Sequence, residues 1–360
     1  MPDTAVPPDA AGRLLRRINE AGFTAAVSCG AGAMHALAST QAFLKPLWPH
    51  RNLISSVWGS SAGSISAAFF CSGLDPVRME NLFRSTRLKN MVGPKTLSTV
   101  NLALRGLQRA FGKRAGIVNG DHFRFLIRST ITPERDRFSM SFPRFSILAT
   151  PSNKDHGGKA TVFSPDSTPE TTISSAVVAS SAHPVYFGPQ WIDGVAYSDA
   201  ARLEPLPTTS IIQARKNGGS DPKELVILAH MITYNWDPPP DDESLSRKLL
   251  HYIRDNVRVL ITNQLRCAIA EGAAIILIQP NVDNLRVPEP MSRSRAKNFL
   301  KEIDVELFPL YYPYFDRIVP RLYDAAADAF LANPSEKFIV STNDKENNPS
   351  ITLGRNIFSY

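Results

Sequence analysis

The chain has 360 residues, 43% of them hydrophobic and 20% charged, which supports one large core or two domains and excludes a largely disordered protein. Forty Lys and Arg against 33 Asp and Glu leave a net charge of +7, which suits an anionic lipid surface or a nucleic acid and selects neither. Three widely spaced cysteines, Cys29, Cys71 and Cys267, exclude a disulfide framework and have no metal-ligand spacing.

Residues 1–11 read as a flexible lead without the basic and apolar stretches of a signal peptide, and no later run is long enough to span a bilayer, so a cytoplasmic location is expected. Ala11 to Ala21 predicts a short helix carrying Arg13, Arg16 and Arg17. Phe23 to Ser28 reads as a buried strand that runs into the small-residue loop Cys29-Gly30-Ala31-Gly32-Ala33 and then an Ala-rich helix to about Leu44. Leu53 to Trp58 is a second strand. Strand, glycine loop, helix and strand in this order make a βαβ unit, so the sheet is at least partly parallel. Further strands are expected at Phe145–Ala149, Ala160–Phe163, Trp191–Ile192, Leu225–Ala229 and Ile275–Ile278. Helices are expected at Pro76–Arg84, Leu97–Lys113, Asp121–Ser129, Glu243–Ala270, Arg293–Lys301 and Asp316–Ala332. Trp236 to Asp242 reads as a rigid Pro-rich connector, and residues 334–360 as a polar, loosely packed tail. The alternation places helices on both faces of one sheet, a three-layer α/β/α arrangement with a mostly parallel centre.

The most informative stretch is Gly59-Ser60-Ser61-Ala62-Gly63, between the second strand and the helix-compatible Ile65 to Phe70. A serine at such a strand-turn-helix apex is held in a strained backbone conformation, and Gly59 and Gly63 remove Cβ atoms that would clash. Ser61 is therefore expected to project its hydroxyl into solvent at a helix N-terminus, where the dipole and unpaired amides favour an oxyanion.

Further on, Trp191-Ile192 delivers Asp193, followed by Gly194. A carboxylate within hydrogen-bond reach of the Ser61 hydroxyl can take its proton and return it to a leaving alcohol. The alternative reading of Asp193-Gly194 is a tight turn with no chemistry. Gly30-Ala31-Gly32 is expected to offer backbone amides to an anion. A dinucleotide fold would need a third glycine at the position of His35 and an acidic ribose partner about 20 residues on, and has neither. As an oxyanion hole beside Ser61, the candidate donors are Gly30, Ala31, Gly32 and Ala62.

These three elements, in this order, resemble the patatin-like phospholipase family, with its glycine-rich oxyanion loop, GxSxG turn and late Asp-Gly. Ala182 to Pro189 is similar to the family's lead into the aspartate, and Gly116 to Asp121 to its Gly-hydrophobic-x-x-Gly-Asp segment; the likeness covers residues 22–332. It implies a Ser61–Asp193 dyad without histidine, acting on fatty-acyl esters of phospholipids or lysophospholipids through an acyl-enzyme, with no cofactor and no metal. It also implies a catalytic domain over 12–333 that includes a basic cap segment, 78–128, and a helical C-terminal part, 243–332. The chain departs from the pattern in three places. Ala33, Met34 and His35 stand where a basic residue and glycine are usual, Val195 stands where glycine or alanine is usual after Asp-Gly, and the downstream Asn-x-Pro is matched only loosely by Asp199 and Pro205. The resemblance leaves open a general carboxylesterase, an acyltransferase or a catalytically silent lipid-binding scaffold.

A Ser-His-Asp triad using His230 is the rival mechanism, but only two strands precede Ser61, fewer than an α/β-hydrolase places before its nucleophile. The seven histidines are too scattered for a metal site. Eleven basic and two acidic residues fall between Arg78 and Arg128. The helix expected at its centre fits either peripheral contact with an anionic membrane or a cap with a solvated basic face. Aromatics are not interleaved with these charges, so nucleic acid is not the expected partner.

Overall fold

The structure, a computed structural model, describes residues 9–85, 120–152, 158–183, 187–232, 245–281, 307–333, 338–342 and 349–353. The strands are β1 (Thr24–Cys29), β2 (Ile54–Gly59), β3 (Arg144–Pro151), β4 (Thr161–Phe163), β5 (Gln190–Ile192), β6 (Val195–Ser198), β7 (Leu225–His230), β8 (Ala274–Gln279), β9 (Phe338–Thr342) and β10 (Pro349–Leu353). They form a single sheet in the order β10-β9-β8-β7-β1-β2-β3-β6-β5, with β4 antiparallel on β3. From β9 to β3 every pair is parallel, and antiparallel β10, β6 and β5 finish the two edges.

The strands bury both faces because their residues are apolar at successive positions, as a sheet covered on both sides requires. Val27, Val57, Ile147, Val226 and Ile276 enter one apolar cluster, while Ala26, Trp58, Leu148, Ile227 and Ile275, each next in the chain to one of these, enter the other. The first cluster lies under α1 (Ala10–Glu20), α2 (Ala33–Leu44), α3 (Ala62–Cys71), α4 (Pro76–Ser85), α5 (Gly120–Thr130), α6 (Ile173–Ser180) and α9 (Leu307–Ala332). The second is covered by α7 (Thr208–Asn217) and α8 (Leu245–Ala270). This is the three-layer α/β/α arrangement with a mostly parallel centre.

Helix α3 has small or apolar residues on every side and is buried along its whole length. It packs against α2 and α6, so the turn that starts it is held from several directions. The chain leaves β1 toward β2 on one side and later places β7 on the other, which makes the carboxyl ends of β1, β2 and β7 a topological switch point, where open α/β sheets form their crevice.

Three expectations change. The stretch read as a loose tail supplies β9 and β10: Phe338-Ile-Val is a short apolar run among polar neighbours, and it pairs with β8 while Val340 is fully buried. Helix α9 begins at Leu307 and carries Pro313 and Pro320 within it, so those prolines do not end it. Helices α6 and α7 and strand β6 carry no strong periodicity in the sequence and are found only in the structure. The helices expected at 97–113 and 293–301, the connector at 236–242 and most of the lead at 1–11 lie outside the described residues.

Candidate active site

Ser61 lies two residues beyond the end of β2, with φ 51° and ψ −127°. A non-glycine residue in this region costs about 1–3 kcal/mol and persists only where the surroundings fix it. The flanking glycines are required by close approach. A Cβ on Gly59 would lie 2.5 Å from the Ser64 Cα, and one on Gly63 would lie 2.5 Å from the carbonyl oxygens of both Cys29 and Gly30. The first turn of α3 thus presses directly on the loop after β1.

The Ser61 hydroxyl donates to Oδ2 of Asp199 at 2.8 Å. Its expected partner, Asp193, is elsewhere. Asp193 and Gly194 are the two turn residues of the β5–β6 hairpin, both exposed and both at positive φ, 49° and 77°. That is the mirror-image turn that matches the twist of a hairpin. The expected Ser61–Asp193 pairing is therefore corrected: the tight-turn reading holds for Asp193-Gly194, and the carboxylate at Ser61 belongs to a residue six positions later. Strand β6 runs from the hairpin tip back to the carboxyl end of β3, where Ser198 pairs with Thr150, so Asp199 arrives at the carboxyl-end side of the sheet, where Ser61 stands. Asp193 is separated from it by up to about 20 Å of extended chain.

Asp199 is fixed at both ends. Its amide donates to the Ala182 carbonyl at 3.0 Å, its carbonyl accepts from the Thr150 hydroxyl at 2.9 Å, and Oδ1 accepts from the Ala201 amide at 2.8 Å. Burial pushes its pKa up to about 6; the bonds from Ala201 and Ser61 and the charge of Arg202 oppose this but do not cancel it. Ser61 is only 8% exposed, so its hydroxyl lies in a recess and does not project into solvent as expected.

The oxyanion candidates divide. The Gly30 amide donates to the His230 carbonyl at 2.9 Å, continuing the pairing of β1 with β7, and the Ala31 amide donates to the Pro205 carbonyl at 2.8 Å, in the loop that follows Asp199. Those two amides are already engaged, and the expectation that they serve as donors is corrected. Gly32 caps α2 at φ 151° and Ala62 opens α3; among the described residues neither amide donates to a protein acceptor. Unpaired amides at the starts of two adjoining helices form the setting in which an anion is held.

His230 is fully buried, with Nε2 2.8 Å from the Ser39 hydroxyl and Nδ1 3.4 Å from the Thr40 hydroxyl, and it stacks on Phe43 at 4.8 Å. Burial lowers its pKa to about 3, so it is neutral and occupied in the α2 face of the core. The triad is not assembled. Among the described residues no group of three or more His, Cys, Asp or Glu is placed to hold a metal ion.

A serine at positive φ after a parallel strand thus carries a buried aspartate on its hydroxyl, at the start of a helix. Residues 21–212, just over half of the chain, match the family described as patatin-like phospholipase. The chain belongs to that family. Membership supports a phospholipase-type lipid hydrolase. Among solved structures the chain is similar to VipD from Legionella pneumophila, with 15% identity, a TM-score of 0.35, and 86% of this chain and 75% of that one covered. It is also similar to the type III effector protein ExoU, at 16% identity and a TM-score of 0.31, covering 86% of this chain and 62% of that one, less than two thirds of its length. No curated protein matches the chain.

The family pattern fits Asp199 better than Asp193. Asp199 is followed by Ala200 and Ala201, the small residues absent after Asp193-Gly194, and by Glu204-Pro205 in the place of the downstream motif. With alanine at 200 in place of glycine, the Asp-Gly dipeptide of this chain falls in the hairpin instead.

Proposed function

We propose that this chain is a lipid acyl hydrolase that cleaves fatty-acyl esters of phospholipids or lysophospholipids with a Ser61–Asp199 dyad. The observation that carries the reading is the 2.8 Å bond from the Ser61 hydroxyl to a buried carboxylate. As Oγ attacks the ester carbonyl, its proton passes to Asp199 Oδ2, and the oxyanion is met by the Gly32 and Ala62 amides. Collapse of the adduct breaks the ester C–O bond, and Asp199 returns the proton to the departing alcohol. Water then attacks the acyl-enzyme, Asp199 takes its proton, and Ser61 leaves protonated.

The lipid substrate rests on family membership, and the acyl chemistry on the site. Peripheral contact with an anionic membrane through segment 78–128 is part of the reading. Within the described residues, Phe125 on α5 and Trp191 on the β5–β6 hairpin are 68% and 66% exposed, and they adjoin Arg124 and Gln190, which bond to each other at 3.2 Å. A tryptophan placed in this way suits a lipid–water interface. Among the described residues no helix is long and apolar enough to cross a membrane.

Labelling with a fluorophosphonate, compared between wild type and Ser61→Ala, tests the nucleophile: label on wild type alone supports it, and label on neither protein favours a silent scaffold. Faster turnover of long-chain phospholipid than of a short soluble ester supports the lipid assignment, whereas the reverse order favours a general carboxylesterase.

A further inference from the structure

Ser61 has a backbone held by hydroxyls from two directions, and the two sides are unequal. Its carbonyl accepts from the Ser64 amide at 2.9 Å, the Ser64 hydroxyl at 2.6 Å and the Ser181 hydroxyl at 3.2 Å. Among the described residues its amide has one partner, the hydroxyl of Ser180 at 2.9 Å, the last residue of α6 and a fully buried side chain. A residue at φ 51° cannot offer its amide to the ordinary helical or sheet acceptors, so the single bond to Ser180 is what satisfies this amide in the strained state.

We infer that Ser180 is a positioning residue that holds the Ser61 backbone at positive φ and thereby keeps the Ser61 hydroxyl on Asp199. The inference rests on the dyad proposed above. Helix α6 is well anchored for the task. Thr172 caps its start by accepting from the Ser175 amide, and Asp136 receives both the amide and the hydroxyl of Ser174, each at 2.7 Å. At its far end, the segment after α6 also receives the Asp199 amide on the Ala182 carbonyl, so one short stretch, 180–182, touches both members of the dyad. Without the Ser180 oxygen, Ser61 gains by relaxing toward negative φ to find another acceptor, and that rotation carries Oγ off the carboxylate.

The test compares Ser180→Ala, Ser180→Thr and Ser181→Ala. The readouts are kcat and KM on a soluble short-chain ester, the pH profile of kcat/KM, and the melting temperature. Ser180→Ala is expected to lower kcat ten- to a hundredfold with KM little changed, on the order of the loss from an ångström-scale misplacement. It should also move the acid limb of the profile to higher pH. The Ser61 bond is one of the influences holding Asp199 down, Ala201 and Arg202 being the others, and only the first is disturbed. Ser180→Thr, which keeps the oxygen, restores both. Ser181→Ala changes little, because the Ser61 carbonyl keeps two other donors. A Ser180→Ala protein with wild-type kcat and an unmoved acid limb overturns the inference. So does a loss of rate that comes with an unmoved limb and is not recovered by threonine. Wild type that neither turns over ester nor takes a fluorophosphonate sinks the dyad itself, a result distinct from a null effect at Ser180 in an active enzyme.

Discussion

Replacing Asp199 with Asn is expected to abolish turnover and, at neutral pH, to make the protein more stable. Asp199 has its pKa raised from 3.8 to about 6 by burial, so the folded state holds this proton more tightly than the unfolded chain. Ionising it therefore costs stability: the cost is absent below pH 3.8, grows as pH rises, and is fully present above the folded pKa. The interval between 3.8 and about 6 corresponds to about 3 kcal/mol. Asparagine carries no charge at any pH and preserves the shape, since its oxygen can accept from the Ala201 amide while its NH2 donates to the Ser61 oxygen. Asp199→Asn should thus exceed wild type by up to about 3 kcal/mol at pH 8, a rise of several degrees in melting temperature, and by roughly half of that at pH 5. Thermal or urea unfolding at pH 8, 5 and 4 measures the gap. An asparagine variant no more stable than wild type at pH 8, or a gap that stays constant with pH, refutes the burial argument.

Because Asp199 must be ionised to accept the Ser61 proton, kcat/KM on a soluble ester should fall tenfold per pH unit on the acid side, with its midpoint near 6; a profile flat down to pH 4.5 contradicts this. His230→Ala removes a stacked, buried ring and leaves the Ser39 and Thr40 hydroxyls without it, so unfolding should cost about 2–4 kcal/mol less while the folded fraction still takes a fluorophosphonate. Loss of labelling in protein shown to be folded would revive the triad. Gly63→Ala places a methyl group 2.5 Å from two carbonyl oxygens and should yield protein that is unstable or unlabelled; a stable, active variant contradicts the close contact of α3 with the loop after β1. Trp191→Ala should lower hydrolysis of phospholipid vesicles several-fold and leave short-ester turnover unchanged, and equal loss on both substrates counts against an interfacial role.

The layered sheet was legible because β7 and β8 are continuous apolar runs and β1 is a run of small and apolar residues, all three buried on both faces, and such runs can hardly be placed elsewhere. Ser61 was legible for a related reason: its glycines are forced by the approach of α3 to the loop after β1, so the sequence carries the trace of a backbone contact. Asp199 was not, because Ala200 stands where a glycine would mark it and Glu204-Pro205 only loosely keeps the downstream motif. Its role comes from β6 turning back along β3, a pairing of only two residue pairs, Thr150 with Ser198 and Pro151 with Tyr197. Asp193-Gly194 drew attention because its composition is that of a hairpin turn, and a hairpin turn is what it forms. The Gly30 and Ala31 amides were misassigned since composition shows that a loop is unhindered but not which of its donors are already engaged. Strands β9 and β10 were missed because a five-residue run such as Phe338–Thr342 becomes a strand only when an edge, here β8, is offered to it.

The rate of fluorophosphonate modification at Ser61 tests the dyad most directly, measured for wild type, Asp193→Asn and Asp199→Asn at pH 7.5 and located by mass spectrometry. The account predicts that Asp193→Asn reacts as wild type does, since asparagine suits the same hairpin turn, and that Asp199→Asn is slowed by at least about a hundredfold. Wild-type reactivity in Asp199→Asn, or its loss in Asp193→Asn, contradicts the account.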